Sequence, residues 1–160
     1  GFEVGTDYSR RAGYQIHGSD GLTVSQKWGD GLSTFHGMHS RGFPNSFFFG
    51  PAQSGFTATY TYSLDEQSIH LAYILKKAKE QGATRIEASA EAEEKWINTI
   101  IEKARLTATF QENCTPGYYN NEGKVNQTPQ NNTYGGGPIE FFSLMKKWRT
   151  KDNLEGLELS

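Results

Sequence analysis

The polarity pattern near the start of the chain is typical of a β-hairpin. Apolar and polar residues alternate around Gly18-Ser19-Asp20-Gly21, with Tyr14 and Ile16 before this segment and Leu22 and Val24 after it. This alternation predicts two short strands joined by a four-residue turn. A second stretch, 46–49, holds three consecutive phenylalanines between two proline-containing turns. It predicts a strand that is buried on both faces.

Three later segments have helical periodicity. In the first, Ser63 and Glu66 form a capping box, and Gly82 marks the end. The apolar face predicted for this helix consists of Leu64, Leu71, Leu75 and Ala78. The second helix is predicted from about Ser89 to Ala108, with an apolar stripe of Trp96, Ile97, Ile100, Ile101 and Ala104. The third is predicted to begin at Pro138, to end near Arg149, and to turn Phe142, Met145 and Trp148 inward.

Composition places limits on the class of protein. The 160 residues carry 16 basic and 18 acidic side chains, so the net charge of −2 gives no reason to expect nucleic acid or an anionic membrane as a partner. A single cysteine excludes an internal disulfide framework. No apolar run is long enough for stable membrane insertion, and a cytoplasmic location is expected. The long polar segment 113–137 is of a length that is usually functional or disordered.

Few residues suggest chemistry by themselves. The segment from Gly50-Pro51 to the helix at Ser63 resembles the strand–loop–helix units whose helix N-termini bind electron-rich groups, and Gly50 would allow a close backbone approach. Spacing alone favours an ordinary connection without a ligand. His36 and His39 lack a third ligand, so no metal site is predicted. Cys114 has no identifiable base, and the three Asn-x-Thr sequons, at residues 113, 126 and 131, are attributed to chance.

Several segments, in order, are similar to one enzyme family. They are Gly1-Phe2-Glu3, KWGDGLSTFHGMHSRGFPNSFFFGP at 27–51, SLDEQ at 63–67, EAEEKW at 91–96, CTPGYYNNEGK at 114–124, YGGGPIEFF at 134–142 and the terminal LEGLEL. Together they resemble the C-terminal portion of flavin-dependent Baeyer–Villiger monooxygenases. The absence of an initiating methionine and of a signal peptide also leads us to expect a piece of a longer protein.

The resemblance implies an α/β fold, as part of a flavoprotein with two dinucleotide-binding domains. Residues 1–82 would be the C-terminal half of the FAD-binding domain, contributing the hairpin and the buried strand. Residues 83–160 would form a helical extension with a mobile control loop at 113–137. The implied cofactors are FAD and NADP(H), and the implied reaction uses O2 to convert a ketone into an ester or lactone.

Much of such an enzyme is not in this sequence. There is no G-x-G-x-x-G and no P-loop motif. The family's catalytic arginine is expected upstream, because Arg10, Arg11 and Arg41 do not match its position. No catalytic residue is therefore assigned, and the chain is expected to depend on the missing FAD and NADPH domains and to be inactive alone.

The resemblance also implies site residues. The cofactor-binding positions would be Gly50, Pro51, Tyr60, Thr61, Tyr62 and Thr115, and the substrate pocket would include Ser54, Gly55, Phe56 and Thr57. Relatives carry a tryptophan where this chain has Thr115, so its stacking role could pass to Tyr118 or Tyr119. Two alternatives stay open: a related flavin monooxygenase that oxygenates nitrogen or sulfur, and a non-catalytic binding or interaction domain.

Overall fold

The computed structural model describes residues 13–113, 115 and 128–160, with the backbone alone for 105–113. Helix α1 (Val24–Lys27) is short, and helix α2 (Tyr60–Glu80) is the first long element. Helix α3 (Ala90–Asn113) and helix α4 (Pro138–Thr150) follow. Strands β1 (Ile86–Ala88) and β2 (Leu157–Leu159) pair antiparallel, with Ile86 opposite Leu159. None of these helices is long and apolar enough to cross a membrane.

Helix α2 ends as predicted but begins earlier and buries a different face. Gly82, at φ 70°, follows its last turn. Its first residue is Tyr60, and Ser63 is buried inside the helix, where its Oγ lies 3.3 Å from Thr57 Oγ1 instead of capping the end. The predicted apolar face is wrong except at Ala78, since Leu75 is exposed and Leu64 and Leu71 are half-buried. The buried residues are Ser63, Gln67, His70, Ile74 and Ala78.

Helices α3 and α4 agree with the sequence pattern more closely. The Ser89 hydroxyl accepts a hydrogen bond from the Ala92 N–H at 3.1 Å, which caps α3. Along α3 the side chains of Trp96, Ile100 and Ala104 are buried as predicted, and Ile97 and Ile101 are half-buried. Helix α4 begins at Pro138 and buries Phe141, Met145 and Trp148. Phe142 is only half-buried, because Phe141 occupies the core position that was predicted for it.

The three strands predicted in the first fifty residues are wrong. Around the expected turn there is only an isolated bridge between His17 and Thr23, because 19–21 form a 3-10 turn and Val24 already begins α1. Thr23 and Gln26 form the capping box of α1, which draws the chain into a helix. Segment 46–49 is irregular: Phe48 is buried and donates its N–H to the Met38 carbonyl at 2.9 Å, with no strand ladder beside it.

Two apolar clusters form the core of the described residues. The larger one joins α2, α3 and α4 to the small sheet through residues such as Ile74, Ile100 and Phe141. The smaller one consists of Val24, Trp28, Leu32, Phe43 and Phe48. Two buried carboxylates bind the backbone N–H groups of residues 41 and 42. Glu93 accepts the Arg41 N–H at 2.7 Å and the Lys27 ammonium at 2.7 Å, and Glu87 accepts the Gly42 N–H at 2.7 Å.

Candidate functional site

The loop of residues 50–59 is held at its start by a hydrogen-bond network. The Gly50 carbonyl accepts from Ser54 Oγ at 2.6 Å and from Gln67 Nε2 at 2.9 Å. Ser54 Oγ in turn accepts from the same Gln67 nitrogen at 2.9 Å. The Ser54 N–H donates to the Pro51 carbonyl at 3.2 Å, and Pro51 itself is exposed. The first five residues of the loop therefore form a tight turn docked on α2.

Gln53 fixes the other side of this turn. It is fully buried, with a left-handed backbone at φ 55°. Its Nε2 donates to the Leu32 and Gln130 carbonyls at 2.7 and 2.9 Å, and its Oε1 accepts from Thr34 Oγ1. Gly37 also packs closely against Gln53, since a Cβ at position 37 would lie 2.9 Å from the Gln53 carbonyl oxygen. The conformation of the 50–59 loop is thus set by contacts to three separate parts of the chain.

The four predicted substrate-pocket residues do not lie equally close to the surface. Ser54 and Gly55 are buried, and a Cβ on Gly55 would be 2.8 Å from the Phe141 ring. Thr57 is half-buried and donates its hydroxyl to the Thr59 carbonyl at 2.6 Å. Phe56 has 46% of its surface exposed. Of these four residues, Phe56 is the most exposed and offers the largest surface to a ligand.

The predicted cofactor-binding residues Tyr60, Thr61 and Tyr62 form the first turn of α2. Thr59 precedes the helix, and no side chain caps this end. The N–H groups at the start of a helix carry a partial positive charge. In this first turn the Tyr62 N–H donates to the Thr59 carbonyl at 3.0 Å. All three residues are exposed, and the Tyr60 ring lies 5.9 Å from the Phe56 ring. The structure therefore brings the open helix end and the exposed part of the predicted pocket together.

A group of neutral imidazoles lies behind the 50–59 loop. The His36 and His70 rings are 5.4 Å apart and border a small cavity with Gln67 and Phe141. Burial lowers the pKa of His36 well below its ordinary value, and it lowers the pKa of His39 to about 4 and that of His70 to about 3. In the described part of the chain, no group of three or more histidine, cysteine or acidic residues could hold a metal ion.

The remaining predicted position, Thr115, is exposed. Cys114, Tyr118, Tyr119 and most of the predicted control loop lie outside the described residues, so the roles given to them stay predictions. Sequence reasoning missed Gln53, Gln67 and Glu93. For Gln67 a signal was present, because Ser63, Gln67 and His70 repeat at helical spacing and mark a polar stripe on the buried face of α2.

Comparison with known proteins finds relatives that match nearly the whole chain. The chain is 46% identical over 158 residues to neopentalenolactone D synthase of Streptomyces avermitilis, covering 98% of this chain and 27% of that protein. It is 35% identical over 161 residues to Baeyer–Villiger monooxygenase ATR8 of Stachybotrys chlorohalonatus, covering 99% of this chain and 26% of that protein. No family model matches the chain.

A solved structure agrees with these sequence matches. Polycyclic ketone monooxygenase from Thermothelomyces thermophila superposes with a TM-score of 0.87 at 31% identity, over 96% of this chain and 25% of that one. Over nearly its whole length the chain therefore matches one portion of Baeyer–Villiger-type FAD monooxygenases, and the α/β flavoprotein fold implied by the resemblance is confirmed. It spans about a quarter of the length of the curated relatives that it matches.

Proposed function

We propose that this chain serves an FAD- and NADPH-dependent monooxygenase that inserts one oxygen atom of O2 next to a ketone carbonyl, giving an ester or lactone. The names of its relatives support this proposal, since they include FAD-binding and Baeyer–Villiger monooxygenases. Solved structures of similar fold have NADP bound. The observation that carries the proposal is the juxtaposition of the open first turn of α2 with the exposed Phe56 on a rigid loop.

The residues present fit a flavin at the start of α2. FAD, when bound, supplies the reduction of dioxygen that the reaction needs. The chain's own contribution would be the backbone N–H group at Thr61 and the partial positive charge of the helix end, since the Tyr62 N–H already donates to the Thr59 carbonyl at 3.0 Å. These groups suit an electron-rich carbonyl edge, which becomes more negative on reduction. Gly50 and Pro51 would border the same site, and Thr115 would approach it from the C-terminal region.

Substrate selection would depend on Phe56. In the complete enzyme that carries this sequence, Phe56→Ala should change which ketones are oxidised, because it enlarges the exposed side of the pocket. The rate of flavin reduction by NADPH should stay nearly unchanged. Phe49→Ala is the matched control, since Phe49 is also exposed and lies just before the 50–59 loop. An unchanged ketone profile in Phe56→Ala would remove this residue from the pocket.

Flavin binding can be tested at Thr61. Proline there deletes one backbone donor in the first turn, where no intrahelical hydrogen bond is lost. Thr61→Pro should weaken FAD binding or lower the reduction potential of the flavin, whereas Thr61→Ala keeps the N–H and should behave like the parent. Normal flavin affinity and potential in Thr61→Pro would mean that the flavin does not bind at this helix end.

This proposal also includes the division of the chain at residue 82, the control loop at 113–137 and the cytoplasmic location.

Screening the complete enzyme against ketones, amines and sulfides with NADPH separates ketone oxidation from nitrogen or sulfur oxygenation. A product formed only from amines or sulfides would contradict the proposed reaction while leaving the family unchanged.

A further inference from the structure

Gln67 connects the two halves of the proposed site. It lies on the buried face of α2, about two turns after the open helix end, with 4% of its surface exposed. Its single amide nitrogen donates to both Gly50 O and Ser54 Oγ, each at 2.9 Å. The Gly50 carbonyl can only accept, so the orientation of the Gln67 amide is determined by this partner.

Gly55 joins Ser54 to Phe56 and is tightly packed, so the positions of Ser54 and Phe56 are coupled. Gly55 is buried against Phe141, and even a methyl group at Gly55 would come within 2.8 Å of that ring. Thr57 then returns to α2 through its 3.3 Å contact with Ser63 Oγ. The loop therefore has little freedom between the two points where it contacts α2. A change at Ser54 must displace Phe56, since Gly55 has no room to absorb it.

A purely structural role would make little use of this geometry. A buried glutamine is costly unless its polar atoms are paired, and the Gln67 Oε1 has no hydrogen-bond partner among the described residues. An apolar side chain would pack against the neighbouring Phe141 and Met145 without that cost. What glutamine adds is a fixed distance between α2 and the start of the 50–59 loop.

We propose that Gln67 is a positioning residue that holds Phe56 in register with the flavin-facing end of α2. This inference rests on the proposed function, because it concerns the same site. Gln67 itself contacts neither ketone nor flavin; it acts through Gly50 and Ser54.

The test uses the complete enzyme and two substitutions on the buried face of α2. Gln67→Leu keeps most of the side-chain volume but removes both donors. Ile74→Ala, on the same buried face and about two turns further along α2, is the matched control for lost stability. Gln67→Leu should raise the KM for ketone roughly tenfold or more and alter the ketone profile, since small misplacements near a reacting group are costly. Flavin reduction by NADPH without ketone should be unchanged, and Ile74→Ala should lower the melting temperature with the parent KM and profile.

A double-mutant cycle shows whether Gln67 acts through Ser54. Ser54→Ala should raise KM by a smaller factor in the Gln67→Leu background than in the parent, because the Gln67–Ser54 hydrogen bond is already lost there and only the bond from Ser54 Oγ to the Gly50 carbonyl is left to remove. The same fold-increase in KM from Ser54→Ala in the parent and in Gln67→Leu would overturn the inference. So would an unchanged KM and ketone profile in Gln67→Leu.

Hydrogen exchange keeps this inference separable from the proposed function. The backbone amides of residues 55–57 should exchange faster in Gln67→Leu than in the parent or in Ile74→Ala, whatever the reaction is. If the parent oxidised no ketone while these amides exchanged faster, the proposed function would fail and the positioning role would stand. If ketone oxidation were present and exchange in 55–57 were unchanged, the positioning role would fail alone.

Discussion

Mild acid should destabilise this protein before its carboxylates titrate. His39 and His70 are buried, with 2% and 1% of their surfaces exposed, and their pKa values in the fold are about 4 and about 3 against 6.5 for a free imidazole. Burial is the main cause for both, and the neighbouring His39 and Arg149 charges also lower the pKa of His70. Because the unfolded chain binds these protons more readily, their contribution to stability is present above pH 6.5 and is lost as the pH falls toward 4.

The size of the effect follows from the gap between folded and unfolded pKa values. Each pH unit below 6.5 costs about 1.4 kcal/mol per histidine until the folded pKa is reached. Between pH 7 and pH 5 this amounts to roughly 2 kcal/mol for each of His39 and His70, or about 4 kcal/mol together. Carboxylates in an unfolded chain titrate near pH 4, so they contribute little in this window.

Urea unfolding at pH 7, 6 and 5 measures this loss directly. His39→Gln should recover roughly 2 kcal/mol of this loss, since it removes one of three buried histidines whose pKa is lowered. The comparison uses the change with pH within each variant, so the intrinsic cost of the substitution cancels. His17→Gln, at an exposed histidine, is the control and should keep the parent slope. A free energy of unfolding that stays constant from pH 7 to pH 5 would refute the burial argument.

Three further outcomes are expected. Gly135→Ala should destabilise the chain by roughly 1–3 kcal/mol, because the new Cβ would lie 2.2 Å from the Lys103 carbonyl oxygen. Thermal unfolding measures this loss, and Gly29→Ala is the control, since its Cβ would be 3.4 Å from the nearest atom. Glu93→Gln should cost about 2–3 kcal/mol by breaking a largely buried ion pair, whereas the exposed Glu94→Gln should cost little; equal denaturation midpoints would contradict this. The purified 160-residue chain should not retain stoichiometric FAD, and a yellow protein with a full flavin spectrum would count against the expected dependence on absent domains.

The sequence predicted the helices better than the strands for a physical reason. Helices α3 and α4 combine an apolar stripe with local start signals at Ser89 and Pro138, and both features lie within one segment. Strands β1 and β2 are three residues each and pair across the whole C-terminal half, so no local pattern indicates them. The alternation before Val24 resembled a hairpin, but the Thr23 capping box turns that segment into α1.

The parts of the candidate site that follow from the order of residues along the chain could be predicted from the sequence. The parts that depend on tertiary contacts could not. The residues just before Ser63, which are predicted to bind the flavin, form the exposed first turn of α2, although Ser63 is not the cap. Gln53 anchors the loop from a left-handed backbone conformation, and a glutamine in the sequence does not indicate such a conformation. Gln67 does not stand out in the sequence because apolar residues usually mark the buried face of a helix, whereas this face binds a loop through polar atoms.

Oxygen insertion by the complete enzyme is the most direct test of the account. The coding sequence should be expressed together with its upstream region, and the purified flavoprotein incubated with NADPH, cyclic, linear and aryl ketones, and isotopically labelled dioxygen. The account predicts an ester or lactone that carries one labelled oxygen atom, formed with NADPH consumption and with a ketone range that changes in Phe56→Ala. A flavoprotein that consumes NADPH but converts no ketone, or whose product contains no oxygen from dioxygen, would contradict it.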